Sequence, residues 1–359
     1  MASRLTNPAR SVDVVKLLAA LVVIVWSSRA LGDDVNLVSG TTFKQAIGGR
    51  VRGQVQSESP SEVVVMLGAT NTSVPTDQIQ SIRYDGQSAS FALAEARESS
   101  GQLAEAAELF KKAATESAGK PYPAQAAQFR EAEVLTELAM AEPDRLKEAK
   151  DKLNRFLTAY PISRHLAAAR ACQARLLLST GDFTGAEAAI ADLAKLPRGA
   201  ERAAVLRTRV LGKQGKHADA IAQLDKLIAS APKGSERQRA AQLAKAENLA
   251  AMKQFKDAES LLHEVILANP PEDAAAQAPA YNTLGDCLRA ANRPKDALFA
   301  YLHTDLLYSK SKEEHPRALH HIAELYRLLK QDGHADEVAQ RLKQEYPRSA
   351  WASARSASQ

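Results

Sequence analysis

The sequence predicts a mainly α-helical protein, an α-solenoid of helical hairpins preceded by a small all-β barrel-like module and an N-terminal signal segment. The first observation is an alanine that recurs at intervals of 43, 37, 34, 38 and 39 residues. These alanines are Ala106, Ala149, Ala186, Ala220, Ala258 and Ala297. The second is an apolar residue four positions after each of them, as one face of a helix requires. The third is an aromatic content of only 5%, because cores made mainly of Ala and Leu suit closely packed helices.

Residues 1–32 have the three parts of an export signal. Basic residues precede the apolar run Leu17–Trp26, and small residues follow it. The run has ten residues, which is too short to cross a bilayer comfortably. We therefore expect a cleaved signal peptide and an exported protein, located in the periplasm or cell envelope. The alternatives are an uncleaved inner-membrane anchor that uses residues 14–26, and a short buried helix.

Residues 41–86 change from a helical to an alternating pattern. Val51, Gly53 and Val55 alternate with polar residues, and a short apolar run follows at Val63–Leu67. This pattern predicts four or five short strands, and it resembles small SH3-like or Sm-like barrels. The Sm-like resemblance implies RNA binding. Because carboxylates partly balance the few cations of this segment, we nevertheless predict no nucleic-acid partner.

The clearest helical unit lies between residues 281 and 301. Its characteristic positions are Tyr281, Leu284, Gly285, Leu288, Ala297 and Tyr301. Two antiparallel helices cross closely only where one offers a very small side chain, so Gly285 and Ala297 mark expected contact points. The residue types and their spacing resemble a tetratricopeptide repeat (TPR). The resemblance implies helical pairs that stack into a solenoid, because a single pair leaves one apolar face uncovered.

The repeat array is predicted over residues 87–354 as six or seven units, followed by a frayed tail at 355–359. A seventh, poorer unit places Val338 at the position of the recurrent alanine. Gly101, Gly181 and Gly215 each lie five residues before an indexed alanine, where we expect the turn between the two helices.

Two units end in the same way, with Tyr160-Pro161 and Tyr346-Pro347 each followed after one residue by a serine. The proline stops one helix, and the serine is suited to cap the next. These endings are similar to the divergent repeats of bacterial envelope proteins, including outer-membrane assembly lipoproteins and the cell-division coordinator family. The resemblance implies a location in the cell envelope.

The sequence contains no catalytic constellation, and we predict neither an enzyme nor a cofactor. Glycine-rich phosphate loops and Gly-x-Ser-x-Gly elbows are absent from it. His320, His321 and Glu324 lack the i, i+4 pair of histidines of a helical zinc site. Adjacent helical residues point about 100° apart, so we expect at most one of the two histidines in a given site and no metal. Cys172 and Cys287 are expected to be separate, buried thiols.

A repeat array offers a concave groove, lined by the first helix of each pair. Counting from the indexed alanines gives candidate residues for binding a partner. They are Arg175, Arg202, Arg209, Lys213, Asn282, Asp286, Arg289 and Arg327. The basic middle of this set favours a peptide or protein partner with acidic groups or a C-terminal carboxylate. The alternative is that these residues are ordinary solvated charges.

These patterns predict a non-catalytic protein–protein interaction scaffold of the cell envelope, which binds a peptide or protein along the concave groove. The alternative is a self-associating envelope-assembly or structural factor. The net charge of +5 does not favour nucleic acid, because Arg4, Arg10, Lys16 and Arg29 against Asp13 place +3 of it in the first 32 residues.

Overall fold

The computed structural model describes residues 32–38, 40–197, 199–347 and 349–353. The export signal expected before Gly32 and the tail expected at 355–359 lie outside the described residues. The chain divides into two compact units, one built on a β-sheet and one helical, which are described in turn. Within the described ranges no helix has both the length and the apolarity needed to span a membrane, and residues 14–26 lie outside these ranges.

The β unit contains one five-stranded sheet. Its strands are β1 (Asp33–Leu37), β2 (Arg50–Glu58), β3 (Glu62–Leu67), β4 (Thr70–Pro75) and β5 (Ile79–Arg83). They lie in the order β4-β3-β2-β1-β5, and β1 pairs antiparallel with both β2 and β5. Val35 of β1 faces Val51 on one side and Ile82 on the other. Alternate residues point to one face, so Val35, Val51, Val63 and Val65 are fully buried there.

The sheet corrects two expectations about this segment. The strands were expected to begin at residue 41, which leaves out β1. Asp33 of β1 is buried, and its carboxylate accepts hydrogen bonds from the backbone N–H groups of Val55 and Asp85 at 2.7 Å each. The SH3-like or barrel-like form is not confirmed. A closed barrel needs its first and last strands to pair, whereas β4 and β5 are the two edges of the sheet.

Helices follow one another in pairs through the helical unit. The pairs are α1 (Ala89–Ser99) with α2 (Leu103–Glu116), α3 (Pro121–Ala141) with α4 (Leu146–Ala159), α5 (Leu166–Ser179) with α6 (Phe183–Ala194), α7 (Gly199–Lys213) with α8 (His217–Ser230), α9 (Glu236–Ala251) with α10 (Phe255–Ala268), α11 (Ala274–Ala290) with α12 (Pro294–Leu307), and α13 (Glu314–Leu328) with α14 (Asp332–Glu345). The short helix α15 (Ala350–Ser353) covers part of the last pair. Each helix contacts the next, and the first helices of successive pairs from α3 onward also contact one another.

The recurrent alanine is the fourth residue of every second helix in these pairs. All six indexed alanines are fully buried, as the sequence analysis expected. In the seventh pair the equivalent residue is Ala335, not Val338, and it too is fully buried. Ala335 and Val338 are three residues apart on one face of α14, so apolar periodicity alone did not separate the two registers.

In six of the seven described pairs, the turn between the two helices contains a residue in the left-handed region of backbone space. Gly101, Gly181 and Gly215 have φ between 74° and 77°, as expected for the residue that ends a helix. The residues five positions before Ala258, Ala297 and Ala335 are Lys253, Asn292 and Lys330, with φ between 59° and 62°. The second pair departs from this rule, since a short 3-10 turn at Pro143–Arg145 connects its helices.

The helix ends follow the predicted capping pattern in part. Pro161 and Pro347 come directly after the tyrosine that ends α4 or α14. Ser163 then accepts a hydrogen bond from the backbone N–H of His165 at 3.0 Å, and Ser349 accepts one from that of Trp351 at 3.2 Å. Ser349 thus satisfies a backbone donor in the first turn of α15. Ser163 bonds within the turn before α5, whose N-cap residue is His165 and has no side-chain capping bond.

Gly285 is the place where α11 and α12 approach most tightly. A Cβ atom built at this glycine would lie 2.6 to 2.8 Å from three ring atoms of Tyr301. Tyr301 is fully buried and lies in one continuous core with Leu284, Leu288 and Ile322 of the same and the following pair. The absence of a side chain at Gly285 therefore determines how closely this pair can cross.

We expect Gly285→Ala to destabilise the protein by about 1–3 kcal/mol, because the added methyl group must push Tyr301 out of a filled core. The measurement is the urea midpoint followed by circular dichroism. Gly333→Ala is the matched control: Gly333 is also helical, and a Cβ there meets no atom within 4 Å. The control should be neutral or gain up to about 1 kcal/mol. If both variants lost the same free energy of unfolding, Gly285 would not be the point at which α11 and α12 need a residue without a side chain.

Candidate functional site

The first helices carry a column of charged residues on the side that packing leaves open. In pairs three to seven, the residue eleven positions before the indexed alanine is always charged. These residues are Arg175, Arg209, Glu247, Asp286 and Glu324, and all are partly or fully exposed. Because α5, α7, α9, α11 and α13 contact one another in succession, the five residues form one row. We call this row and its neighbours three, four or seven residues away on the same helices the first-helix face.

The middle of the first-helix face is basic and unpaired. Arg175, Arg202, Arg209 and Lys213 make no hydrogen bond or ion pair with any described residue. Arg202, Arg209 and Lys213 all lie on α7 and are exposed. Apolar side chains three or four residues from the members of the row on α5, α7 and α9 are only partly buried. They are Ala171, Leu178, Val205, Leu243 and Ala250.

At the C-terminal end of the face, polar groups are already occupied by one another. Asn282, one of the predicted groove residues, is fully buried between α11 and α13. Its amide nitrogen donates to the backbone carbonyl of Glu314 at 2.8 Å and to the Glu314 carboxylate at 2.7 Å. Its amide oxygen has no partner among the described residues. Asn282 therefore joins two first helices.

Asp286 is at the centre of the same network. One of its carboxylate oxygens accepts a hydrogen bond from the Tyr301 hydroxyl, and the other is paired with the Arg317 guanidinium. Arg317 also contacts the Glu314 carboxylate at 3.2 Å. The side chain of Arg317 is only 21% exposed, so this cation compensates two carboxylates in a partly desolvated position.

Arg289 continues the network towards the end of α13. Its guanidinium donates to the Glu324 carboxylate at 2.8 Å and lies 2.6 Å from Nδ1 of His321. Arg327, the last of the predicted residues, lies apart from these contacts and pairs with Asp336 of α14 at 3.5 Å. The eight predicted residues thus fall into an unpaired basic group, an interlocked group and one separate ion pair.

Burial moves the titration of several groups in this network. It raises the pKa of Glu314 above its ordinary value, against the opposing effects of Arg317 and Asn282. It lowers the pKa of His321, which favours the neutral imidazole. It also raises the pKa of Tyr301, and the neighbouring Asp286 carboxylate adds to that shift, so the hydroxyl remains a donor.

An acidic cluster lies at the other end of the helical unit, on α1 and α3. Arg130 is paired with Glu98 and with Glu133, the latter at 2.5 Å. Burial raises the pKa of Glu137, and the charges of Glu98 and Glu133 raise it further, whereas the nearby charges of Arg175 and Arg130 oppose the shift. The first helices therefore present acidic residues near both ends and unpaired cations between them.

Two adjacent histidines and a glutamate also converge on α13. Ligand atoms of His320, His321 and Glu324 all lie within 4.8 Å of one another. The expectation that at most one of the two histidines could join a given site is therefore wrong, because both imidazoles lie close to the same carboxylate. The backbone directions differ by about 100°, but rotation about the side-chain bonds brings both imidazoles to the same carboxylate.

The partner residues on α13 were not predicted from the sequence. Glu324 stands eleven residues before Ala335, as Asp286 does before Ala297. Arg317 stands eighteen residues before Ala335, as Arg202 does before Ala220. Indexing the seventh pair on Val338 shifted its first helix by three residues and hid both equivalences. Counting back from Ala335 instead of Val338 places Glu324 and Arg317 at the equivalent positions, so their spacing in the sequence could have identified them.

Comparisons with known proteins concern the architecture. No family model and no curated protein matches the sequence. Among solved structures, the protein is similar to a Rap protein complexed with competence and sporulation factor, with a TM-score of 0.51 and 13% identity over 73% of this chain and 76% of that one. The fold is a TPR-like α-solenoid.

Two further structures have the same kind of helical repeat. One is a tetratricopeptide repeat protein from Parabacteroides merdae, with a TM-score of 0.47 and 14% identity over 71% of this chain and 91% of that one. The other is PilW, a widely conserved type IV pilus biogenesis factor, with a TM-score of 0.42 and 18% identity over 62% of this chain and 96% of that one. At such low sequence identities, the similarity concerns the fold alone and says nothing about a ligand.

We expect Arg317→Ala to destabilise the protein by about 2 kcal/mol or more, since it leaves Asp286 and Glu314 uncompensated in a partly buried place. The free energy of unfolding in urea measures the loss. The control is Arg293→Ala, which removes an exposed cation paired with Glu259 and Asp296 and should cost less than about 1 kcal/mol. Similar losses in both variants would show that the α13 network adds no more than a surface pair.

Glu137→Gln should stabilise the protein at pH 7. Folding raises the pKa of Glu137, so the folded protein binds the proton more tightly than the unfolded chain, and the ionised carboxylate opposes folding at neutral pH. The gain should fade as the pH falls below the ordinary value of 4.5, where the carboxyl is protonated in both states. Melting temperatures at several pH values test this. Exposed Glu264→Gln is the control, and a gain that persists at low pH would contradict the electrostatic cause.

Proposed function

We propose that this protein is a non-catalytic scaffold of the cell envelope that binds a peptide or protein segment along the first-helix face. The observation that carries the proposal is the unpaired basic group in the middle of that face. Elsewhere on the same face the cations are engaged: Arg289 and Arg317 each pair with carboxylates of their own chain. Exposed arginines held on rigid helices, with carboxylates absent from their contacts, are suited to bind an acidic partner.

The apolar surroundings support a peptide as the ligand. Ala171 and Leu178 lie four residues before and three after Arg175, and Val205 lies four before Arg209. Such a surface provides contact area for aliphatic side chains, while the guanidinium groups pair with carboxylates. A segment with small apolar residues next to Asp, Glu or a C-terminal carboxylate fits both features.

The envelope location is part of the proposal and is supported by the export signal expected in residues 1–32 and by the Tyr-Pro-x-Ser endings. We also predict that the protein binds no nucleic acid and is not an enzyme. These predictions rest on the charge balance of the sequence and on the lack of catalytic motifs in it. A membrane contact through residues 14–26 requires that the signal is retained.

The test compares partner capture by three versions of the full chain in envelope extract, quantified by mass spectrometry. Arg202→Glu with Arg209→Glu reverses two exposed cations of the first-helix face, and we expect at least about tenfold weaker capture. Arg155→Glu with Lys226→Glu makes the same charge change at exposed sites on the second helices α4 and α8 and should leave capture unchanged. Retention of all partners by the first variant would overturn the proposed binding face.

Self-association is the second candidate function, and one observation favours it. On α12, Phe299, Leu306 and Leu307 are 64%, 74% and 64% exposed. Phe299 and Leu306 are seven residues apart, so they share one side of the helix. Light scattering over a range of concentrations, with Phe299→Ser and Leu306→Ser together as the variant, tests this. A mass that stays monomeric at all concentrations would exclude the candidate.

A further inference from the structure

The residues His320, His321 and Glu324 have the chemistry and convergence of a cation site. We infer that a divalent transition-metal ion of the Zn²⁺ type binds between these three side chains and displaces the Arg289 guanidinium. The ligand atoms already lie within 4.8 Å of one another on the single rigid helix α13. Two imidazoles and one carboxylate form a ligand set that suits Zn²⁺, Ni²⁺ or Cu²⁺, with a further position open to water.

His320 is held in an orientation that leaves one nitrogen free to bind a metal. Its Nδ1 lies 3.1 Å from the backbone carbonyl oxygen of Trp351. A carbonyl oxygen only accepts hydrogen bonds, so Nδ1 carries the proton and Nε2 keeps its lone pair. Nε2 faces the Glu324 carboxylate at 3.6 Å. A backbone carbonyl on the second ring nitrogen is the usual support of a metal-binding histidine.

His321 and Glu324 together present two acceptors to one positive group. Nδ1 of His321 lies 3.0 Å from the Glu324 carboxylate, and both atoms contact the same guanidinium nitrogen of Arg289, at 2.6 and 2.8 Å. A guanidinium only donates, so in the shorter contact, with Arg289, Nδ1 of His321 is the acceptor; when Arg289 is displaced and Nδ1 is protonated, the same nitrogen can instead donate to Glu324. Ligand atoms around a tetrahedral zinc are separated by about 3.4 Å, as follows from bonds of about 2.1 Å. Arg289 thus occupies the position that a bridging metal ion would take.

Aromatic neighbours hold the two imidazoles in place. The Trp351 ring lies 5.3 Å from the His320 ring and 5.2 Å from the His321 ring, measured between centroids. The ring of Tyr301, on the preceding helix α12, lies 5.1 Å from the His321 ring. His321 also has the Asp286 carboxylate 3.7 Å from its Nε2, which adds negative charge beside the site. Preorganised rings and nearby carboxylates reduce the reorganisation needed for binding.

The experiment is calorimetric titration of the tag-free full chain with Zn²⁺, with Co²⁺ absorption as a second readout of coordination. We expect one ion per chain, and at least about tenfold weaker binding in His321→Ala and in Glu324→Gln. Arg289→Gln should bind at least tenfold more tightly, since it removes the cation that competes for the same acceptors. His263→Ala, an exposed histidine beside Glu259 on α10, is the matched control and should leave binding unchanged.

The Arg289→Gln variant keeps the inference falsifiable if the ligand variants lose stability. Circular dichroism melting of each variant separates a loss of binding from a loss of fold. Unchanged or weaker Zn²⁺ binding by Arg289→Gln would overturn the inference, as would wild-type protein that binds no Zn²⁺ or Co²⁺. Binding that survives both His321→Ala and Glu324→Gln in folded protein would place the ion elsewhere and also overturn it.

Discussion

The close approach of paired helices is the constraint on which the helical unit depends. Each second helix has a fully buried alanine at its fourth position, where a small side chain allows the paired helices to cross closely. In the sixth pair, Gly285 adds a second point of contact, where the Tyr301 ring fills the space that a Cβ would need. Since dispersion and burial both depend on such filled contacts, each pair is held by a few small residues and the aliphatic residues around them.

The turns within the pairs follow from the same constraint. Helices that cross closely need a short connection, and a residue with positive φ reverses the chain in the fewest positions. Glycine meets this demand at Gly101, Gly181 and Gly215 without strain. Lys253 and Lys330 adopt the same conformation although lysine disfavours it by about 1–2 kcal/mol. Their presence indicates that the packing of the pair, not the local preference of the residue, determines the turn.

Stacking of the first helices also determines which charged side chains are paired within the chain and which are not. Between α11 and α13, buried or half-buried polar groups such as Asn282, Asp286 and Arg317 pair across neighbouring helices and hold the two pairs together. On α7, Arg202 and Arg209 face solvent without such partners. The same type of residue at an equivalent position is therefore a structural link in one pair and a candidate ligand contact in another. Arg317 has Asp286 within reach on the preceding first helix, whereas Arg202, at the equivalent position, has no such carboxylate partner among the described residues.

The recurrent alanines, the glycines before them and the Tyr-Pro-x-Ser endings were enough to predict the helical pairs, because each is a local requirement of packing or capping that one residue type satisfies. The strands β2 to β5 were predictable from alternation for the same reason. The strand β1 was missed because its Asp33 and Asp34 disfavour a strand locally, and only the bonds from Val55 and Asp85 make Asp33 acceptable there. The sequence by itself determined the repeat and the row of charged first-helix residues. Tertiary structure alone decided which of those charges are paired, and that His320, His321 and Glu324 meet, because these contacts join residues from different helices or depend on side-chain rotation that no periodicity records.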